Sequence, residues 1–273
     1  MQGRTVLITG ATDGLGRALA GDLAARGARI LVHGRDRAKA EAVAREVGSE
    51  HVYLADLASL DEVRGMAEAI TKDHDRLDVL VSNAGIGTAL PGDGARMESR
   101  DGHELRFAVN HLAGFLLTRL LEPLLIRAAP SRIVNVASAG QMPIDFDDVM
   151  LERGYDGTRA YCQSKLAQVM STFELADRLA ADGVTANTLH PATYMPTTMV
   201  RAAGVAPVSS LEEGLEATAR LVADPALEQV TGCYFNGTRE GRADPQAYDA
   251  AARRRLWELS ERLTGTGPAT ALR

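Results

Sequence analysis

The sequence predicts an α/β protein: one domain built on a doubly wound parallel sheet with helices on both faces. Three observations carry that reading. Short β-branched runs alternate with longer stretches of 3.6-residue apolar periodicity along the chain. A glycine-rich turn joins the first such run to the first periodic stretch. The 273 residues show no compositional break that would mark a second domain. Strands alternating with helices imply a parallel sheet, because each crossover helix must bury its apolar stripe on a sheet face.

The elements follow in order. Residues 5–9 (Thr-Val-Leu-Ile-Thr) read as a buried strand and 14–27 as a helix with Leu15, Leu19 and Leu23 on one face. Strand 29–33, helix 36–47, strand 51–54, helix 59–73 and strand 77–82 come next. A Pro/Gly-rich loop holding Gly92-Asp-Gly94 precedes a long helical stretch, about 101–127, with Pro123 near its end. Strand 132–137 leads to a helix opened by Arg159-Ala-Tyr-Cys-Gln-Ser-Lys165 and running to about 181. Strand 184–189, helix 211–222, strand 232–236 and a last helix 245–263 complete the chain. Ligands of such sheets bind where the strands end, so site residues should gather there.

Composition narrows the function. Apolar residues make up 45%, enough for an ordinary core, and a net charge of −6 leaves no basic field. Neither nucleic acid nor an anionic membrane surface is therefore an expected partner. Cys162 and Cys233 are too few for a disulfide framework and fit a reducing, cytoplasmic setting. The chain enters an apolar run after four residues, so no signal peptide is expected. No membrane span is expected either, since the longest apolar run, 115–126, is broken by Arg119 and Glu122. The six histidines lack metal-ligand spacing, and the acids of Asp145-Phe-Asp-Asp148 read as a solvated loop.

Chemistry centres on Tyr161 and Lys165. Four residues apart on a helix, they stack on one face, where an ammonium lowers the tyrosine pKa towards neutrality. The phenol can then exchange protons with a substrate oxygen. Tyr155, nearby, is a decoy, because the residue four positions on is Arg159. In Thr9-Gly-Ala-Thr-Asp-Gly-Leu-Gly16, the residues Gly10, Gly14 and Gly16 let the backbone turn tightly and approach a pyrophosphate at a helix N-terminus.

Together with Ser82-Asn-Ala-Gly85, Asn110 and Ser138, these motifs resemble, in this order, the short-chain dehydrogenase/reductase family, over about residues 4–240. Asp145-Phe-Asp-Asp148 and Ala160-Tyr-Cys-Gln-Ser-Lys-Leu-Ala167 resemble its retinol-dehydrogenase-like branch. The resemblance implies a Rossmann-type fold, with a cofactor half of about residues 1–137 and a catalytic and substrate half of about 138–273. It implies a nicotinamide cofactor held by Gly10, Thr12, Asp13, Gly14, Leu15 and Gly16, by Asp56 and Leu57 at the adenine, and by Asn83, Ala84 and Gly85. Tyr161, Lys165, Pro191 and Thr193 complete that set, with Ala192 replacing the family's glycine. Thr197 and Thr198 are further candidates for the pyrophosphate or carboxamide. The implied catalytic residues are Asn110, Ser138, Tyr161 and Lys165: Asn110 interrupts its helix and holds a water linked to the lysine, and Ser138 polarises the substrate carbonyl.

After the second strand the turn reads His33-Gly-Arg-Asp36, with Gly34 where NAD-dependent members carry an acid. A glycine removes the carboxylate that would repel a 2′-phosphate, and Arg35 can bind that phosphate, so NADP(H) is expected over NAD(H). The loop 194–210, carrying Met195, Met199 and Val200, reads as a mobile lid over an apolar substrate. The expected activity is that of a cytosolic carbonyl reductase/alcohol dehydrogenase, with a non-catalytic nucleotide-sensing regulator and a methyltransferase as the alternatives. A homodimer or homotetramer paired through long helices is the family's habit. The substrate itself is not legible.

Overall fold

The computed structural model describes residues 1–89 and 94–267; of the expected loop, Gly92 and Asp93 lie outside the described residues. Strands β1 (Thr5–Ile8), β2 (Arg29–Gly34), β3 (Val52–Leu54), β4 (Val79–Ser82), β5 (Ser131–Val136), β6 (Val184–His190) and β7 (Tyr234–Asn236) form one sheet. They run parallel in the order β3-β2-β1-β4-β5-β6-β7, and β8 (Arg239–Glu240) adds antiparallel to β7. The chain reverses its direction of travel between β1 and β4, the place where such sheets open a crevice for a ligand.

Side chains alternate along each strand, so each face has its own core. Val6, Ile8, Val32, Val79, Val81 and Val134 pack with α1 (Gly14–Ala25), α2 (Arg37–Glu46) and α8 (Leu211–Ala223). Leu7, Leu31, Leu80 and Ile133 face α3 (Leu60–Asp73), α5 (Ala113–Arg127) and α6 (Gly157–Leu179). Several helices start on side-chain caps that satisfy a free N–H: Asp36 on α2, Ser59 on α3 and Asp156 on α6.

Three differences from the expected elements have physical reasons. The helix expected over 101–127 starts at α4 (Leu105–Phe107), widens through a π-helical turn (Ala108–Leu112) and continues as α5. As one 23-residue stretch, Leu105–Arg127 is apolar and long enough to cross a membrane, with mean hydropathy 1.2 over 18 of its residues, although 61% of those 18 are buried inside the protein. Residues 245–248 form a 3-10 turn, and α9 (Ala250–Thr264) starts only after the cap at Asp249. β8 closes a two-residue hairpin at Gly237-Thr238, where Gly237 takes φ +59°.

Helix α9 lies across α6 and the π-helical turn. Trp257 is buried there with its ring 4.8 Å from Phe115, under Arg178 at 4.3 Å and Arg119 at 5.4 Å, while His111 meets Ser260 at 2.8 Å. This part of the long helices is covered by the chain itself.

Candidate active site

The glycine-rich turn is shaped by close approach. A Cβ at Gly16 would sit 2.2 Å from the Gly10 carbonyl oxygen and 2.5 Å from Asn83 Nδ2, so only glycine fits. Asn83 clamps the turn to β4: its Nδ2 donates to Thr9 O (2.9 Å) and its backbone N–H to Thr9 Oγ1 (2.9 Å). The Ala84 N–H joins the same hydroxyl at 3.0 Å. Asn83 and Ala84 thus hold the turn with their own atoms. Asp13 caps α1 through Gly14 N (2.7 Å), and Leu15 belongs to the core.

His33, absent from the expected set, fixes the turn from behind. Its Nδ1 accepts from Gly10 N (3.0 Å) and its Nε2 donates to Ala55 O (3.1 Å), which defines the neutral tautomer. Burial pushes its pKa down to about 4. The sequence signal was a histidine ending an otherwise apolar strand.

Arg35 lies on the open rim, 71% exposed in its side chain and 3.9 Å from Asp56. Gly34 has a second explanation: a Cβ there would meet the Thr12 methyl at 2.5 Å. Asp56 Oδ1 accepts from Ala58 N (3.1 Å) in a turn, and Leu57 is buried in the core rather than presented at the rim.

The second cluster stands at the ends of β4 and β5. Asn110 sits in the π-helical turn, where a widened ring frees backbone groups. Its side chain serves the protein: Oδ1 accepts from Ile86 N (2.8 Å), while Nδ2 donates to Ile86 O (3.1 Å) and Ser164 Oγ (2.9 Å). Ser164 in turn donates to Tyr161 O (2.7 Å), so Asn110 braces the loop after β4 against α6. Ser138 follows β5; its hydroxyl accepts from Gly140 N (3.0 Å), and an added Cβ at Gly140 would stand 3.5 Å from that hydroxyl and 3.7 Å from Tyr161 Cε1. Its carbonyl is held by Gln141 Nε2 (2.8 Å) and Tyr234 OH (3.2 Å).

Lys165 is buried, with its Nζ 5.9 Å from the centre of the Tyr161 ring. The expected depression of the tyrosine pKa is not what the structure gives. Burial raises it, with the Ser138 hydrogen bond pulling the other way, and burial also takes Lys165 down to about 7. Burial thus disfavours the charged form of both groups.

Tyr155 is more than a decoy. Its hydroxyl donates to Glu104 Oε1 (2.9 Å) and accepts from Arg106, which also grips Gly87 O (2.9 Å) and Thr88 O (2.6 Å). Glu104 and Arg106, both buried and 3.6 Å apart, tie the insert before α6 to the loop after β4. The acidic loop is engaged by cations: Asp145 with Arg159 (3.1 Å) and Asp147 with Arg255 (3.2 Å). Among the described residues no group of three or more His, Cys, Asp or Glu is placed to hold a metal.

Pro191 is buried, and the exposed Thr193 turns its hydroxyl to His190 Nε2 (3.0 Å). Within the expected lid is a short helix, α7 (Thr198–Ala202), capped by Thr197. It reaches over the glycine turn: Thr198 Oγ1 donates to Asp13 Oδ2 (2.5 Å), and Met199 packs on Gly87.

The glycine turn and the serine, tyrosine and lysine lie at the ends of neighbouring strands, an arrangement found with the fold of an oxidoreductase. The chain belongs to the short chain dehydrogenase family, whose profile matches residues 4–206. It is 39% identical to human retinol dehydrogenase 14 over 97% of this chain and 87% of that protein. A crystal structure of an uncharacterised protein from Mycobacterium paratuberculosis superposes with TM-score 0.81 at 32% identity, covering 97% of this chain and 94% of the other. The 3-ketoacyl-(acyl-carrier-protein) reductase of Brucella melitensis, complexed with NADH, superposes with TM-score 0.70 at 27% identity over 86% and 96%.

Proposed function

We propose that this chain is an NADP(H)-dependent carbonyl reductase/alcohol dehydrogenase in which Tyr161 exchanges the proton with the substrate oxygen. One observation carries it: Ser138 and Tyr161 meet at Gly140, where an added Cβ would stand 3.5 Å from Ser138 Oγ and 3.7 Å from Tyr161 Cε1, and Lys165 Nζ lies 5.9 Å from the centre of the same tyrosine ring. The cradle fits a dinucleotide, since Gly16 could carry no side chain and the N-terminus of α1 favours an anion. The residues placed to hold it are Gly10 to Gly16, Arg35, Asp56 and the 83–85 loop. When bound, the nicotinamide supplies or accepts hydride.

The chain's own groups supply the rest. A half-buried phenol whose pKa is raised keeps its proton and is suited to giving it to a carbonyl oxygen as charge develops there. The Ser138 hydroxyl is a fixed donor for the same oxygen. Lys165 Nζ spends two of its three N–H donors inside the protein and offers the third towards ribose hydroxyls. Arg35 supports NADP(H) over NAD(H), because its guanidinium is exposed and only loosely paired with Asp56.

The exposed lid residues Tyr194, Met199, Val205 and Val208 support an apolar substrate, and the named relative makes retinal a reasonable first aldehyde to try. Two free cysteines support a cytoplasmic location. The proposed assembly is a homodimer or homotetramer.

The test is NADPH oxidation with a panel of apolar aldehydes and ketones. Tyr161→Phe should lower kcat by about 10²–10⁴-fold with NADPH affinity unchanged. Retained turnover would reject the proton role. Nucleotide binding without turnover on any carbonyl would favour the regulator instead.

A further inference from the structure

Lys165 is tethered at two points. Its Nζ donates to Val136 O (3.1 Å) at the end of β5 and to Gln168 Oε1 (2.8 Å), one turn further along α6. Gln168 is itself buried and well footed. Its backbone carbonyl oxygen, not the side-chain amide, accepts the hydroxyls of Ser171 (3.1 Å) and Thr172 (2.6 Å), and Thr172 accepts Asn135 Nδ2 (2.8 Å) from β5.

The groups facing the amine from each packed element are neutral. On α6 there are the Tyr161 ring and the Gln168 amide; from β5, the Val136 carbonyl; from the loop after β4, Gly85, with Asn110 of the π-helical turn behind it. Burial alone opposes the ammonium and brings its pKa to about 7, so its protonation at neutral pH depends on the two oxygen dipoles turned towards it. The backbone oxygen comes with the fold. The amide oxygen is a choice of side chain.

We propose that Gln168 is a positioning residue for the proton chemistry assigned to Tyr161 and Lys165: its amide oxygen fixes the Lys165 amine and keeps it charged. The assignment rests on that reading of the pair. Gln168 touches the lysine and acts through it.

The chain has three lysines, Lys39, Lys72 and Lys165, so ¹³Cε-lysine NMR resolves each one, with Lys39→Arg and Lys72→Arg for assignment. In the full chain without added nucleotide, Gln168→Met should move the Lys165 titration midpoint down by about one pH unit, a tenfold loss of proton affinity. Gln168→Glu should move it up by at least as much. The alkaline limb of kcat/KM with NADPH and a reactive aldehyde should follow both shifts, which a merely structural role would not produce. Should the glutamate variant fail to fold, the methionine variant decides the matter by its midpoint. Midpoints that stay put, or that move the same way in both variants, would overturn the proposal. So would a rate limb that ignores a shifted midpoint. If the wild type turns over nothing, the tyrosine–lysine reading fails instead, while opposite midpoint shifts would still uphold the tether.

Discussion

Helices α6 and α7 border the same strand ends and are held in opposite ways. In α6, 17 of 23 residues are buried, under α9 on one side and the sheet on the other. In α7 none is, and the segment that follows leaves Val208 69% exposed. Tyr161 and Lys165 therefore stand in a wall that opens only with the fold, whereas the lid can open locally. In the proposed function chemistry needs fixed geometry and substrate exchange needs movement, and the two fall to neighbouring helices.

The largest test of that division attacks the wall. Trp257→Ala should cost about 3–5 kcal/mol of stability in urea unfolding while leaving kcat near wild type wherever the variant is folded. A loss of kcat without a loss of stability would mean that α9 acts on the site directly.

On the open side, Arg35→Ala should lower kcat/KM for NADPH about ten- to a hundredfold and leave NADH unchanged. Equal loss with both nucleotides would make Arg35 a general rim contact. If native enzyme prefers NADH, the phosphate role of Arg35 is wrong.

Acid attacks the interior by another route. Burial depresses His33 to about 4 and His111 to about 3, while the unfolded chain takes up those protons near 6.5. Below pH 6.5 the unfolded state thus binds more protons. Stability is whole above that pH and falls as pH drops towards 4, by about 1.4 kcal/mol per unit for each histidine. His111→Leu should remove one proton from the slope of unfolding free energy between pH 6 and 5. An unchanged slope would show that the ring titrates normally.

The smallest effect belongs to the lid. Thr198→Val removes the hydroxyl that reaches Asp13 and should change kcat/KM less than about tenfold, with faster proteolysis within 194–210. A drop in Tm above about 3 °C would place α7 in the wall instead.

The sheet was legible because each parallel strand is a short apolar run between periodic stretches, and Tyr161 with Lys165 was legible because helical spacing fixes their neighbourhood. What escaped depends on partners far apart in sequence. Nothing local shows that Tyr155 will meet Arg106 and Glu104, or that the Asn110 side chain will be spent on Ile86 and Ser164. The raised tyrosine pKa escaped for a similar reason: spacing reveals a charged neighbour but not how deeply both are buried. Other signals were present and unread. Gly237-Thr238, a glycine-led pair between Asn236 and Arg239, is a hairpin turn, and Thr197 just before Thr198 is a helix N-cap.

Helix α9 backs the far half of α6 with the same polypeptide, Arg253 meeting Glu174 at 3.7 Å and Asp177 at 2.8 Å. Diluting the protein leaves that support in place, so specific activity should be the same at nanomolar and micromolar enzyme.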